Sequence, residues 1–354
     1  MGATAPRRRV QVGKWEIGGG QVLVEGMTKT DTRDLAATAA ELSELALAGC
    51  ELVRLAVPDG EAVEALQVLC GQSPVPLIAD IHFDYRLALA ALEAGVHQLR
   101  LNPGNIGGPD RLRKVAQAAR ERGVSIRVGV NSGSLERDLL EKHGRPEPAA
   151  LVASVLRHCR LLEDEGFFDI MASAKSPSVL DTVAAYRLLA ASIPYPLHVG
   201  ITEAGTRLKG AVRSAVGLGL LLAEGIGDTL RVSLAAPAVT EVEVAFTILA
   251  SLGLRQEGVR VIACPTCGRA AYDIRPVAEA VEERLRDVGV PFTVAVMGCE
   301  VNGPGEARQA DVGLAAGPGR ALLFSGGRVL KELLAADIVE ELVREVRRRT
   351  QERG

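Results

Sequence analysis

Three of the six cysteines in this 354-residue chain, Cys264, Cys267 and Cys299, are spaced as ligands of a metal centre. Cys264-Pro265-Thr266-Cys267 is a C-x-x-C pair whose thiolates can ligate one centre, and Cys299 ends a neighbouring apolar run. A C-x-x-C alone is ambiguous between a redox dithiol and half of a zinc site. All five histidines (His82, His97, His143, His158 and His198) precede Cys264, so none is at hand to complete a Cys3His site. A structural zinc closes on four ligands, and this part of the chain offers only three thiolates. A thioredoxin-like role fails because the pair ends a predicted strand without starting a helix, and it leaves Cys299 unexplained. An iron–sulfur cubane held by three thiolates, with one iron left to another ligand, fits the set.

That other ligand is sought in GCEVNGPGEA, residues 298–307. Gly298, Gly303, Gly305 and Pro304 read as a tight, repeatedly turning loop. It can bring Glu306 or Glu300 back towards Cys299. A carboxylate is a hard, exchangeable ligand beside thiolate, so an iron it holds can be yielded to a substrate oxygen. Cys50, Cys70 and Cys159 lie among Leu, Ala and Val and read as buried, apolar thiols.

A second set is cationic. Arg54, Arg100, Arg127, Lys175 and Arg231 each lie in an apolar run that reads as a strand. Aimed at one cavity, five cations repel one another unless an anion sits among them. Guanidinium groups take phosphate oxygens through paired hydrogen bonds, and lysine adds a point charge. The set points to a small substrate carrying two or three negative charges, such as a diphosphate. Asp80, Asn102, Asn131 and Ser233 add groups suited to hydroxyls.

Bringing such residues together requires many strands with a common end. A helix that closes on glycine, followed by an apolar strand, recurs from Ala48, Ala94, Arg122, Glu165 and Glu224. Strands at Gln21–Met27, Pro76–Ile81 and Pro196–Ile201 bring the candidates to eight before residue 235. Helical patterns lie between them. The first has Leu35, Ala39, Leu42 and Leu45 on one face, with Asp31 or Thr32 as cap. Eight strands alternating with helices pair in parallel, either as an open doubly wound sheet or as a closed barrel. An open sheet gathers its chemistry at one switch point, whereas a barrel collects it from the C-terminal ends of many strands. Polar or charged residues mark seven of the eight ends: Arg54, Asp80, Arg100 with Asn102, Arg127 with Asn131, Lys175, Glu203, and Arg231 with Ser233. Gly18–Gly20 precede the first strand, the wrong side for a phosphate loop.

The expectation is therefore a (β/α)8 TIM barrel over residues 1–256, binding substrate, followed by a smaller α/β domain over 257–354 that carries the cluster. In that domain strands end on Cys264 and Cys299, a helix runs from Ile274 to Val288, and short strands cover Asp311–Ala315 and Arg320–Phe324. A charged helix from Asp337 to about Arg349 follows, and the joint lies near Leu254–Glu257.

Composition sets limits. Lys+Arg 41 against Asp+Glu 44 gives no bulk basicity for nucleic acid. The apolar stretch Ala215–Ala223 is too short to span a bilayer. The start, MGATAPRRRVQV, has no apolar core after its arginines, and Pro6 stands where a myristoylation motif wants Ser or Thr. A cytoplasmic protein without a membrane or nucleic-acid partner is expected.

CPTCGR from Cys264 and GCEVNGPGEA from Gly298 resemble the signature motifs of the 4-hydroxy-3-methylbut-2-en-1-yl diphosphate synthases. The resemblance runs on through MTKTDTRD from Met27, VRLAVPD from Val53, LIADIHFDYRLA from Leu77, LRLNPGNIG from Leu99, VGVNSGSL from Val128, SAKSPS from Ser173 and LHVGITEAG from Leu197. One departure is visible. The first strand reads VEGMTKT, where the family usually has glutamine and serine before the methionine and asparagine near Lys29.

The resemblance implies a two-electron, ring-opening dehydroxylation of 2-C-methyl-D-erythritol 2,4-cyclodiphosphate to (E)-4-hydroxy-3-methylbut-2-enyl diphosphate, in non-mevalonate isoprenoid biosynthesis. It implies that Cys264, Cys267, Cys299 and Glu306 ligate a [4Fe-4S] cluster. Arg54, Arg100, Arg127 and Lys175 would hold the diphosphate, with Asp80, Asn102, Asn131, Arg231 and Ser233 nearby. Glu203 and Asn302 would meet the reacting part of the substrate, with Glu203 as a partly buried acid and Glu306 also taking part in catalysis. Flavodoxin or ferredoxin would supply electrons to a homodimer whose active site is shared between chains. The rival readings are a zinc-bearing barrel hydrolase or transferase for a phosphorylated or pterin-like substrate, and a zinc-stabilised binding module. The second has few stacking platforms, with Trp15 alone of its kind.

Overall fold

The computed structural model describes residues 7–102, 106–256, 258–299 and 301–353. The first six residues, Pro103–Asn105 of the LNPGNIG phrase, and Glu257 at the expected joint lie outside the described residues. The chain divides into two units, one ending at Leu254 and the other starting at Arg255.

The first unit opens with a short hairpin, β1 (Val10–Val12) and β2 (Trp15–Ile17). Eight strands follow: β3 (Leu23–Met27), β4 (Leu52–Ala56), β5 (Leu77–Asp80), β6 (Gln98–Leu101), β7 (Ser125–Asn131), β8 (Ile170–Lys175), β9 (His198–Val199) and β10 (Thr229–Leu230). They pair in parallel in the order β8-β7-β6-β5-β4-β3-β10-β9. A parallel bridge from Ala172 in β8 to Leu197 beside β9 joins the two edges, so the sheet is a nearly closed barrel. The barrel read from the sequence is the one the chain forms.

Helices α1 (Leu35–Leu47), α2 (Gly60–Gln72), α3 (Tyr85–Glu93), α4 (Pro109–Arg122), α5 (Arg137–His143), α6 (Pro148–Asp164), α7 (Val179–Ser192), α8 (Arg207–Ala223) and α9 (Ala238–Ser251) link the strands. Apolar side chains of strands and helices form one core, from Val24 and Leu42 to Val242 and Leu249. Asp59, Asp84 and Ser178 cap helices by accepting from backbone N–H groups. Gly123 and Gly166 stop α4 and α6 with φ of +64° and +68°, conformations that cost glycine little. The cap of α1 is Asp34, not Asp31 or Thr32. Asp31 instead chelates Arg33, and the Thr32 hydroxyl donates to the Ala56 carbonyl at 2.7 Å.

Two barrel elements escaped the sequence reading. Helix α5 is a single short addition between β7 and α6. The β1–β2 hairpin packs Val10, Val12 and Ile17 against Leu23, Leu52, Ile78 and Met171, plugging the barrel end opposite the strands' C-terminal ends. Gly26 in β3 is packed just as tightly: a Cβ there would stand 2.9 Å from the Cys50 sulfur.

The second unit is a five-stranded sheet in the order β11 (Val259–Ala263), β12 (Phe292–Met297), β13 (Val312–Gly317), β14 (Arg320–Ser325) and β15 (Arg328–Leu334). The first three strands are parallel and the rest antiparallel. Helices α10 (Arg275–Arg284) and α12 (Ile338–Gln351) cover it through Val277, Val281, Leu342 and Val346. Strand β15 was missed because nearly all its side chains are exposed, so no buried face patterns its sequence. The GPGEA segment is no loop: Gly303–Gln309 forms helix α11, with Pro304 in the first turn, where a missing N–H costs nothing. It lies tight on the sheet, since a Cβ on Gly313 would stand 2.3 Å from the Ala307 carbonyl oxygen.

Candidate functional site

Strand register builds the barrel's charged layer. Asp80 pairs with Arg100, and Arg100 with Arg127, across β5, β6 and β7. Side chains at matched positions of parallel neighbours share a face, so these three start from one height inside the barrel. Around them a small polar cavity opens, lined by Arg54, Arg100, Arg127, Asn131, Lys175, Arg231 and Ser233. Ser173, His198, Ile201 and Thr202 complete the lining and were not singled out from the sequence as ligands.

The five cations do not wait for an anion to be neutralised. Asp80 accepts from Arg54 Nη1 at 3.2 Å and from Arg100 Nη1 at 3.0 Å. In this structure it bridges two guanidinium groups. Glu25 accepts from both terminal nitrogens of Arg127 and lies 3.4 Å from Arg54 Nε. Glu241 accepts from Arg231 Nη2 at 3.2 Å and pairs with Lys29 Nζ at 3.0 Å. Glu25 and Glu241 were missed. A polar residue inside an apolar strand was the signal used for the cations, and Glu25 in LVEGM carries the same signal. Glu25 and Gly26 are also where the first strand departs from the family's usual sequence.

Burial shapes the charges. Burial of Asp80 would raise its pKa, but Arg54 and Arg100 outweigh it and bring the carboxyl down to about 2. Glu25 is held low in the same way, burial being overcome by Arg127 and then Arg54. Lys175 is pushed well down, first by burial and then by Arg54, Arg127 and Arg231, with Glu25 opposing. His198 is pushed down by burial and by the same cations. Its Nδ1 lies 2.8 Å from Thr229 Oγ1 and 3.6 Å from Glu25 Oε2.

Asn102 is buried at the end of β6 and does not line the cavity. Glu203 is exposed, not partly buried, and has a φ of +50°. Such a conformation is costly for a non-glycine residue and clusters at functional sites.

In the second unit the C-x-x-C pair follows β11, and Cys299 follows the neighbouring β12. Each sulfur meets N–H groups. Gly298 N–H donates to Cys264 Sγ at 3.2 Å. The backbone N–H groups of Asn302, Val301 and Gly303 point at Cys299 and lower its pKa. Backbone and side chain of Arg269 do the same for Cys267. At Cys267 and Cys299 these donors stabilise thiolate, the form that binds metal. Cys50 and Cys159, by contrast, are pushed up to about 12 by burial, as apolar thiols should be. Asn302 and Glu306 are exposed, the first capping α11 and the second in its first turn. Glu300, the alternative fourth ligand, lies outside the described residues. Among the described residues no three His, Cys, Asp or Glu side chains converge on a single-ion site. Three thiols, two at neighbouring strand ends and one on the loop after the first, each met by N–H donors, are the donor set an iron–sulfur cluster uses, and they fit that group.

A parallel barrel with a cationic mouth, followed by an α/β unit that presents three thiols met by N–H donors, defines a two-module enzyme. Residues 7–246 match the GcpE TIM-barrel domain and residues 260–348 the GcpE protein C-terminal domain. The chain is 55% identical over 343 residues to the 4-hydroxy-3-methylbut-2-en-1-yl diphosphate synthase (flavodoxin) of Geobacter sulfurreducens, covering 97% of each. It is 54% identical over 341 residues to the protein of that name from Maridesulfovibrio salexigens, covering 96% of this chain and 95% of the relative. Among solved structures, 3-dehydroquinate dehydratase from Geobacillus kaustophilus shares the barrel fold, with a TM-score of 0.51 at 16% identity over 70% of this chain and 96% of that one. The chain belongs to the 4-hydroxy-3-methylbut-2-en-1-yl diphosphate synthase family.

Proposed function

We propose that the protein is the oxidoreductase that converts 2-C-methyl-D-erythritol 2,4-cyclodiphosphate to (E)-4-hydroxy-3-methylbut-2-enyl diphosphate in isoprenoid biosynthesis. Two electrons and two protons enter, the ring opens at a carbon–oxygen bond, and one hydroxyl leaves as water. The observation that carries this reading is the convergence of Arg54, Arg100, Arg127, Lys175 and Arg231 on one cavity. These cations, with Lys29, outnumber the three carboxylates that pair with them and leave net positive charge for a diphosphate.

Arg54, Arg100, Lys175 and Arg231 hold the diphosphate, with Asn131 and Ser233 on the hydroxyls and Arg127, Asp80 and Asn102 supporting from behind. Cys264, Cys267, Cys299 and Glu306 hold a [4Fe-4S] cluster, which supplies low-potential electrons and a Lewis-acidic iron when bound. Glu203 donates the proton that the leaving oxygen takes, and Asn302 orients the reacting end. Residues 1–256 serve substrate and 257–354 serve the cluster.

Flavodoxin, which the relatives' names carry, is the donor we assign, with ferredoxin as the alternative. The active site is completed in a homodimer by a barrel from one chain and a thiol unit from the other. The exposed stripe Leu208, Val212, Val216 and Leu220 on α8 supports a protein partner of this kind. No helix of the described residues is long and apolar enough to cross a membrane, and we place the protein in the cytoplasm.

The test is anaerobic turnover of the cyclic diphosphate with reduced flavodoxin or a low-potential dye, identifying product by mass. Brown protein with about four irons per chain and the linear product is expected. Colourless protein with stoichiometric zinc and no reductive product overturns the reading.

A further inference from the structure

The carboxylates behind the cavity raise a question that the substrate alone does not answer. Arg127 lies at the cavity floor with only 1% of its side chain exposed, and both its terminal nitrogens are taken by Glu25. The same carboxylate stands 3.4 Å from Arg54 and acts on Lys175, so it faces three of the five cations. Its own side chain is fully buried and does not line the cavity. On the neighbouring side Glu241, 2% exposed, does the same for Arg231 and Lys29. A site built only to bind an anion tightly would leave these guanidinium forks free. An enzyme must also release a product that keeps both phosphates of its substrate, and maximal uniform binding of the diphosphate gains nothing in turnover.

We infer that Glu25, seconded by Glu241, is a positioning residue that trims the positive charge of the cavity, holding diphosphate affinity below what the five cations would give. The inference rests on reading the cavity as a diphosphate site. Glu25 acts through Arg127 and Arg54: it fixes the Arg127 guanidinium plane and offsets one unit of the charge the two arginines carry. A carboxylate one side chain behind the anion repels it across a poorly hydrated wall, where screening is weak.

The test is calorimetric binding of inorganic diphosphate to the anaerobically purified full chain and to its Glu25→Gln variant. Glutamine keeps the shape and one acceptor but removes the charge. The dissociation constant should fall tenfold or more, and the diphosphate-induced rise in melting temperature should grow. A merely structural role for Glu25 gives the opposite sign, because a loosened Arg127 weakens binding. Glu241→Gln should tighten binding in the same direction, and it serves alone where Glu25→Gln does not fold. Unchanged or weaker binding in the variants, with wild type binding normally, overturns the inference and leaves the proposed function standing. No binding of inorganic diphosphate by wild type or variants overturns both.

Discussion

Gly129 in β7 lies so close to the guanidinium of Arg100 that a Cβ on it would stand 2.3 Å from Arg100 Nε and 2.9 Å from Cζ. Arg100 Nη2 donates to the Gly129 carbonyl at 3.2 Å while Nη1 holds Asp80. The missing side chain is thus what lets Arg100 lie flat against the barrel wall with its remaining N–H groups towards the cavity. In Gly129→Ala the side chain of Arg100 yields, because it is the flexible partner, and the charged hydrogen bonds it offers an anion are lost. Such bonds are worth about 1.5–3 kcal/mol, or roughly ten- to hundredfold in affinity. KM for the cyclic diphosphate and Kd for inorganic diphosphate should rise by that factor, with kcat less affected. An unchanged Kd would show that Arg100 does not meet the anion.

Lys175 makes anion binding depend on pH. Burial and three arginines push its pKa well down, so its charge is lost at a lower pH than for an ordinary lysine. A bound diphosphate favours the ammonium form and draws a proton onto it. Diphosphate affinity should therefore weaken as pH rises through the depressed pKa, with net proton uptake on binding below the ordinary lysine range. Calorimetry in buffers of different ionisation enthalpy measures that uptake. In Lys175→Met the affinity should be lower and this component of the pH dependence should vanish.

Much of this was legible in the sequence. The helix–glycine–strand phrase and the polar strand ends identified the barrel because each is forced locally: a left-handed stop, an apolar run, a charge where a buried strand would not place one. Glu25 was not singled out, although it carries the same mark, because one carboxylate in one strand suggests nothing until Arg127 and Arg54 are seen around it. The repulsion expected among the cations was read wholly as a need for substrate; three carboxylates supply part of the neutralisation. Helix α11 escaped because two glycines and a proline signal a turn, and only the close approach of Ala307 to Gly313 makes the helical course favourable.

Asp80 should stabilise the barrel as well as order its mouth. It bridges Arg54 and Arg100 from a buried position, and removing one partner of a buried ion pair costs about 3–5 kcal/mol. Asp80→Asn should lose stability of that order at pH 7, read from denaturant unfolding of the barrel. Because the native pKa is held at about 2, below the ordinary carboxyl value, its contribution is present in full above about pH 4 and fades as pH falls from there towards 2. The gap between wild type and variant should narrow over that window. A gap independent of pH would mean the loss comes from packing alone.

The thiols and Glu306 should separate cleanly when iron is counted. Cys264 and Cys299 sit at neighbouring strand ends and Cys267 on the loop after the first of them, so each thiolate would hold one corner of the proposed cluster. Replacing any one of the three by Ala should leave two sulfurs and abolish stable iron binding. Glu306 is different: exposed in the first turn of a seven-residue helix, it would be a hard, exchangeable ligand beside the thiolates. Glu306→Ala should keep the brown colour and most of the iron in oxygen-free preparations, lose iron faster in air, and lose turnover. Loss of all iron from Glu306→Ala would make the carboxylate a structural ligand equal to the thiols. Air stability and turnover matching wild type would remove it from the cluster altogether.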